Sequence, residues 1–278
     1  MKWQGRRGSG NIEDRRGMGL GLPVGGGIGG LVLLLLFSAL TGKNPVDLIN
    51  TSSSESESVG TSGVPADDPQ AEFVSVVLGD TEQTWNEVFR QRGATYEPPT
   101  LVLFTGATQS ACGVGQSEMG PFYCPTDRKV YLDLSFFHDL DTRFGAPGDF
   151  AQAYVVAHEV GHHVQTLLGL SSRVSAARER GGERESNALS VRMELQADCY
   201  AGVWGHYAAQ RGLLETGDAE EGLQAAAAIG DDRLQGQAQG RVVPESFTHG
   251  SSDDRVRWLR RGLDSGNLDA CNTFASGT

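Results

Sequence analysis

AHEVGHHVQ, Ala157 to Gln165, sets two histidines four residues apart with a glutamate beside the first. On a helix this spacing turns His158 and His162 to one face, where two imidazoles can grip one cation, and leaves Glu159 next to them to work on a water. The surrounding run of Phe150, Tyr154, Val155, Val156, Val160 and Val164 has the apolar periodicity of such a helix. Imidazole and carboxylate donors suit Zn²⁺, which in catalytic sites takes three protein ligands and keeps one position open. A third donor is therefore expected elsewhere in the chain.

Glu179, Glu183, Glu185, Glu194 and Asp198 are the downstream candidates. The first three fall in Ser171 to Ser190, a charged, glycine-containing stretch that reads as a helix tail followed by a mobile loop. Glu194 and Asp198 stand four apart on a second apolar helix, Ser190 to Gln210, and so share a face. A carboxylate on a face that otherwise wants burial needs a partner, and a metal supplies one. Glu194 is the expected third ligand, with Glu183 in reserve. Asp198 is expected to orient a ligand histidine through its other ring nitrogen; the rival reading of this pair of carboxylates is a structural ion pair with Arg192 or Arg211.

The N-terminal region looks different. Lys2, Arg6, Arg7, Arg15 and Arg16 stand against only Glu13 and Asp14, and no charged side chain occurs from Gly17 to Gly42. About 20 apolar residues cross a bilayer, so residues 17–42 read as a single membrane anchor, with residues 1–16 a disordered cytoplasmic head and the rest outside. A cleaved signal peptide would have a shorter apolar core and a better cleavage site than Ser38 to Thr41 offers. Gly21, Gly25 and Gly29 have the small-xxx-small spacing that lets two such helices form a homodimer. Residues 43–70, rich in Ser, Glu, Asp and Pro, read as a disordered tether, and residues 71–278 as the globular domain. The net charge of −12 gives no footprint for a nucleic-acid partner.

Within the domain, Phe73, Val76 and Val77, then Trp85, Val88 and Phe89, predict helix interrupted at Gly79, with Asp80 and Thr81 as caps. Thr100 to Thr105 and Lys129 to Leu134 read as strands, the latter half-exposed with an edge at Tyr131 and Asp133 that suits peptide addition. Gly217 to Ile229 and the run after His249 read as further helices. Cys112, Cys124, Cys199 and Cys271, outside the cytoplasm, favour disulfides. Adjacent pairing is one of three connectivities. The expected fold is α+β: a membrane helix, then a mainly helical zincin-like domain with a small sheet.

HEVGHH at His158 to His163 together with ELQAD at Glu194 to Asp198 resembles the HExxH plus ExxxD pattern of the thermolysin-like gluzincin metallopeptidases. NIEDRR, GPFYCPTDRKVYLD, AYVVAHEVGHHVQ, ELQADCYAGVWGHYA and FTHGSSDDRVRWLRRG resemble more closely the bacterial putative neutral zinc metallopeptidase family, over nearly the whole chain. The resemblance implies a zinc endopeptidase acting on protein or peptide substrates, with Glu159 as general base. Similar sites place a histidine or tyrosine to stabilise the oxyanion, which points to His249, with Arg255 a second candidate unless it pairs at the surface with Asp253 or Asp254. His163 lies off the metal face and is expected to pack or support. Two alternatives use the same residues: a membrane-tethered scaffold with a structural or vestigial zinc site, which would not need Glu159, and a hydrolase of non-peptide amides.

Overall fold

A computed structural model describes residues 1–17, 61–62, 64 and 67–275. The central sheet has strand order β2-β1-β3-β7-β6, from β1 (Ile12–Asp14), β2 (Thr61–Ser62), β3 (Thr100–Phe104), β6 (Phe122–Cys124) and β7 (Lys129–Asp133). β1 runs parallel to β3 and β3 parallel to β7, while β2 and β6 pair antiparallel at the edges. A separate hairpin joins β4 (Ala107–Ser110) to β5 (Gly113–Gln116). Leu101, Leu103, Val130 and Leu132 turn one sheet face into the main core; Val102, Phe104 and Tyr131 fill a smaller cluster behind it.

The helices are α1 (Pro69–Gln91), α2 (Ser135–Thr142), α3 (Asp149–Leu167), α4 (Leu170–Arg178), α5 (Glu183–Gln210), α6 (Asp218–Ala228), α7 (Asp231–Gln239) and α8 (Ser252–Ser265); α3 lies against β6 and β7, α5 and α6 pack on α3, and α8 packs on α5 and α6. Asp68 caps α1, accepting from the Gln70 and Ala71 amides, and Ser251 caps α8. α1 is not interrupted at Gly79. The missing side chain instead makes room for a neighbour: a Cβ there would lie 3.1 Å from the Ser9 nitrogen and 3.3 Å from the Arg7 carbonyl. The charged stretch Ser171 to Ser190 is mostly helix: α4 carries it to Arg178 and α5 begins at Glu183, so its last part is the first two turns of α5 and only residues 179–182 lie between. The disulfides are Cys112–Cys124 and Cys199–Cys271.

The N-terminal residues belong to the folded body. Ile12 is buried in the sheet, Trp3 meets Phe73 edge-to-face at 5.4 Å, and the Met1 amine donates to Asp149 at 2.9 Å. This corrects the expected α+β chain headed by a single membrane-spanning helix. The described residues form a mostly helical body with small sheets, and no helix among them is long and apolar enough to cross a membrane. Apart from Gly17, the proposed anchor at residues 17–42, with its bilayer contact and homodimer glycines, lies outside the described residues. The location expected for the chain, single-pass with the N-terminus inside and the domain outside, is overturned as well. Asp14 pairs with Thr61, and Ile12 with Leu101; one crossing between residues 16 and 61 would put hydrogen-bonded neighbours of one sheet on opposite sides of a membrane. Peptide addition at Tyr131 and Asp133 is not supported either: Tyr131 is paired to both Val102 and Phe122, and Asp133, paired to Phe104, is buried with its carboxylate held by the Gly106 and Ser135 amides.

Candidate metal centre

α3 and α5 cross where neither has a side chain to spare. A Cβ on Gly161 would lie 3.0 Å from the Ala197 carbonyl oxygen and 3.1 Å from Ala197 Cα, so the glycine inside the HEVGH stretch lets the backbones approach closely. That contact turns the face bearing His158 and His162 toward the one bearing Glu194 and Asp198. Their termini meet: Glu194 Oε2 is 3.1 Å from His158 Nε2, and Glu194 Oε1 is 3.4 Å from His162 Nε2.

These donors fit zinc. Tetrahedral zinc bonded at about 2.0–2.1 Å would hold neighbouring donors about 3.3 Å apart, and one ligand atom from each of His158, His162 and Glu194 falls within 4.8 Å of the others. Glu183, the reserve ligand, sits in the first turn of α5, about 16 Å along the helix from Glu194 at 1.5 Å per residue. A further acidic group, Asp149, Asp218 and Glu221, lies around the Met1 amine.

Charge reinforces the geometry. Burial would lower the His158 pKa, but Asp198 and Glu194, one at each ring nitrogen, outweigh it and hold the imidazole up at about 10. Burial would likewise raise the Glu194 carboxyl, yet His162 and His158 keep it well below the usual range. Two carboxylates against two imidazoles form a strongly cation-seeking cluster. Glu159, buried beside them, is pushed up chiefly by desolvation, against the pull of both histidines.

Asp198 accepts from His158 Nδ1 at 2.8 Å, from the Tyr154 hydroxyl at 2.6 Å and from Arg255 Nε and Nη2 at 2.9 Å each. Arg255 is thus a buried partner of Asp198, not a surface partner of Asp253 or Asp254. Arg192 makes no ion pair with Asp198, and Arg211 instead grips Asp80 at 3.0 Å. Arg255 and His158 hold Asp198 down at about 2 against burial. His163 turns away from the cluster, bonded to the Glu97 carbonyl and the Tyr123 hydroxyl.

The cluster opens into a cleft of about 600 Å³ whose lining includes Glu159, His249 and Arg255, with Phe122, Phe136 and Met193 as apolar wall. His249 Nδ1 is 3.1 Å from Asp231 Oδ1, and the amides of Thr248, His249 and Gly250 all donate to Asp231 Oδ2. One carboxylate at the start of α7 therefore fixes the loop and leaves His249 Nε2 for the cleft. The bond to Asp231 raises the pKa of the half-exposed His249, with partial desolvation opposing it. Asp231, Tyr154 and Gln165 join this network from outside the set of sequence candidates. Tyr154 precedes His158 by one turn and Gln165 follows His162 by three residues, so helical spacing marks both; nothing in the sequence marks Asp231.

A family model described as putative neutral zinc metallopeptidase matches residues 1–274. The uncharacterized protein YpfJ of Escherichia coli strain K12 is 54% identical over 284 residues, covering 99% of this chain and 99% of its own. The uncharacterized protein Rv2575 of Mycobacterium tuberculosis strain H37Rv is 42% identical over 215 residues, covering 73% of this chain and 72% of its own. No solved structure matches the chain.

Proposed function

Because the chain belongs to the putative neutral zinc metallopeptidase family, we propose that it is a zinc-dependent endopeptidase that hydrolyses peptide bonds in the cleft beside His158. One observation carries the reading: the donor atoms of His158, His162 and Glu194 converge at zinc-ligand spacing, with Glu159 buried next to them and lining the same cleft. Zinc bound there supplies Lewis acidity toward a carbonyl and makes a water acidic enough to attack near neutral pH.

His158, His162 and Glu194 hold the metal, and Asp198 fixes the His158 ring by accepting from Nδ1. Glu159 accepts the proton of the attacking water and returns it to the leaving amine; its raised carboxyl pKa brings it closer to the working range of a general acid. His249, locked by Asp231, donates to the oxyanion as it forms. The retained Glu159 argues against a purely structural zinc site, which has no use for a base.

The test is zinc content and cleavage of casein or a peptide library by the full chain, beside Glu159→Gln and Glu194→Ala. Glu159→Gln should keep its zinc and lose about 10²–10⁴-fold in rate, while Glu194→Ala should lose the metal. Parent cleavage no faster than that of zinc-loaded Glu159→Gln overturns the peptidase reading.

A further inference from the structure

We propose that Gln165 is the positioning residue of His162, and that it is set in turn by a relay of amides ending on the carbonyl of Cys271. The inference rests on reading His162 as a zinc ligand. His158 and His162 are not held alike: Asp198 meets His158 Nδ1, whereas His162 Nδ1 lies 2.9 Å from Gln165 Oε1, a neutral acceptor. Gln165 Nε2 donates to the Met193 carbonyl at 2.7 Å and to Gln196 Oε1 at 3.1 Å, and Gln196 Nε2 donates to the Cys271 carbonyl at 3.0 Å.

The order of donors and acceptors follows from the ends. A side-chain amide can be turned either way, and its network decides. Backbone carbonyls only accept, so the Cys271 carbonyl fixes Nε2 of Gln196 and leaves its Oε1 toward Gln165. The Met193 carbonyl fixes Nε2 of Gln165 in the same way. Gln165 Oε1 therefore faces His162, whose Nδ1–H must donate to it, which leaves Nε2, on the Glu194 side, as the atom for the metal. Both glutamines are buried, where an amide with one bond unmade is costly, so the relay resists being turned over.

The relay crosses from α3 to α5 beside the Gly161 contact. Gln165 follows His162 on α3, Gln196 lies between Glu194 and Asp198 on α5, and Cys271 is tied to α5 by its disulfide with Cys199. The C-terminal segment, distant from the cleft in sequence, thereby sets the tautomer of a metal-facing histidine.

Zinc affinity of the full chain, measured by competition with a chromophoric chelator, tests this alongside thermal melts of the zinc-free proteins. Gln165→Met, similar in shape but without an acceptor, should weaken zinc about 10–100-fold with little change in the zinc-free melt. Gln165→Glu keeps an acceptor on Nδ1 but loses the donor to Met193 and Gln196, so it should weaken zinc less than Gln165→Met, a partial rescue that packing alone would not give. Gln196→Met should weaken zinc by less than Gln165→Met. If Gln165→Met does not fold, Gln196→Met decides: weakened zinc supports the relay and unchanged affinity overturns it. Gln165→Met binding as tightly as the parent, or Gln165→Glu weakening zinc as much as Gln165→Met does, also overturns it. A parent chain that takes up no zinc removes the metal centre itself, which is a different failure.

Discussion

His158 and Asp198 are joined by a 2.8 Å hydrogen bond from Nδ1 to Oδ1 across the crossing of α3 and α5. Asp198 has no exposure to solvent and is also held by Arg255 from α8 and by Tyr154 from α3. Three helices therefore converge on one carboxylate, and that carboxylate decides which nitrogen of His158 faces Glu194. Removing the guanidinium leaves the charge buried with too few partners.

Arg255→Met should therefore cost about 3–5 kcal/mol, the usual penalty for breaking a buried pair. Arg257→Met breaks only an exposed pair with Asp254 and should cost less than about 1 kcal/mol. Urea unfolding of both variants makes the comparison; equal losses would show that Asp198 does not depend on Arg255.

Asp231 sets the pH response of His249. Its bond raises the pKa of the half-exposed His249 above the ordinary 6.5, with partial desolvation opposing, so the protonated donor persists further into the neutral range. The stability contributed by His249 is full below about 6.5 and fades as pH rises through the raised value. In kcat/KM the same titration appears as an alkaline limb. Asp231→Asn removes the charged acceptor, so that limb should move to lower pH; a limb that stays in place removes His249 from the oxyanion.

Legibility followed the range of the interactions involved. Hydrophobic periodicity marks α3, and the spacing of His158, Glu159 and His162 on it carries the chemistry. Glu194 and Asp198 stood out as carboxylates on an otherwise apolar helix. Arg255 reads as a surface residue because Asp253 and Asp254 are its neighbours in sequence, while Asp198 is its neighbour in space. Gly79 has the composition of a helix break but serves a backbone crossing. β1 is three residues long and mostly charged, so its pairing with β3 is visible only in the fold, and residues 1–16 read as a loose head beside a hydrophobic run.

Glycines separate packing from flexibility in a way that substitution can measure. α5 and α8 touch backbone to backbone: a Cβ on Gly262 would overlap the Cys199 carbonyl, and one on Gly202 the Leu259 carbonyl. Gly262→Ala should destabilise by about 3 kcal/mol, lowering Tm by roughly 6–12 °C at 2–4 °C per kcal/mol. Gly236 in α7 has nothing within 4 Å of the added atom, so Gly236→Ala should stabilise by about 0.4–1 kcal/mol. Melting both variants checks the sign of each change, and a stabilised Gly262→Ala would contradict the close crossing.

The N-terminal residues give the sharpest contrast between a loose head and an integral part of the body. β1 lies between β2 and β3, the Arg7–Ser9 backbone rests on Gly79 of α1, and Glu82 accepts from Ser9 Oγ at 2.6 Å and Asn11 Nδ2 at 2.8 Å. A chain starting at Asp67 would uncover Leu101, Leu103 and Phe73 while leaving one edge of β3 unpaired. Burying Met1 and Ile12 is worth about 1.5–3 kcal/mol each, and with the lost strand pairing the total approaches the roughly 5–15 kcal/mol that keeps a typical domain folded. The shortened chain should melt without cooperativity, bind zinc weakly and self-associate through the bare β3 edge. Circular dichroism and sedimentation measure all but the zinc. A monomeric shortened chain that melts cooperatively within a few degrees of the full one would make residues 1–16 the dispensable head their composition suggests.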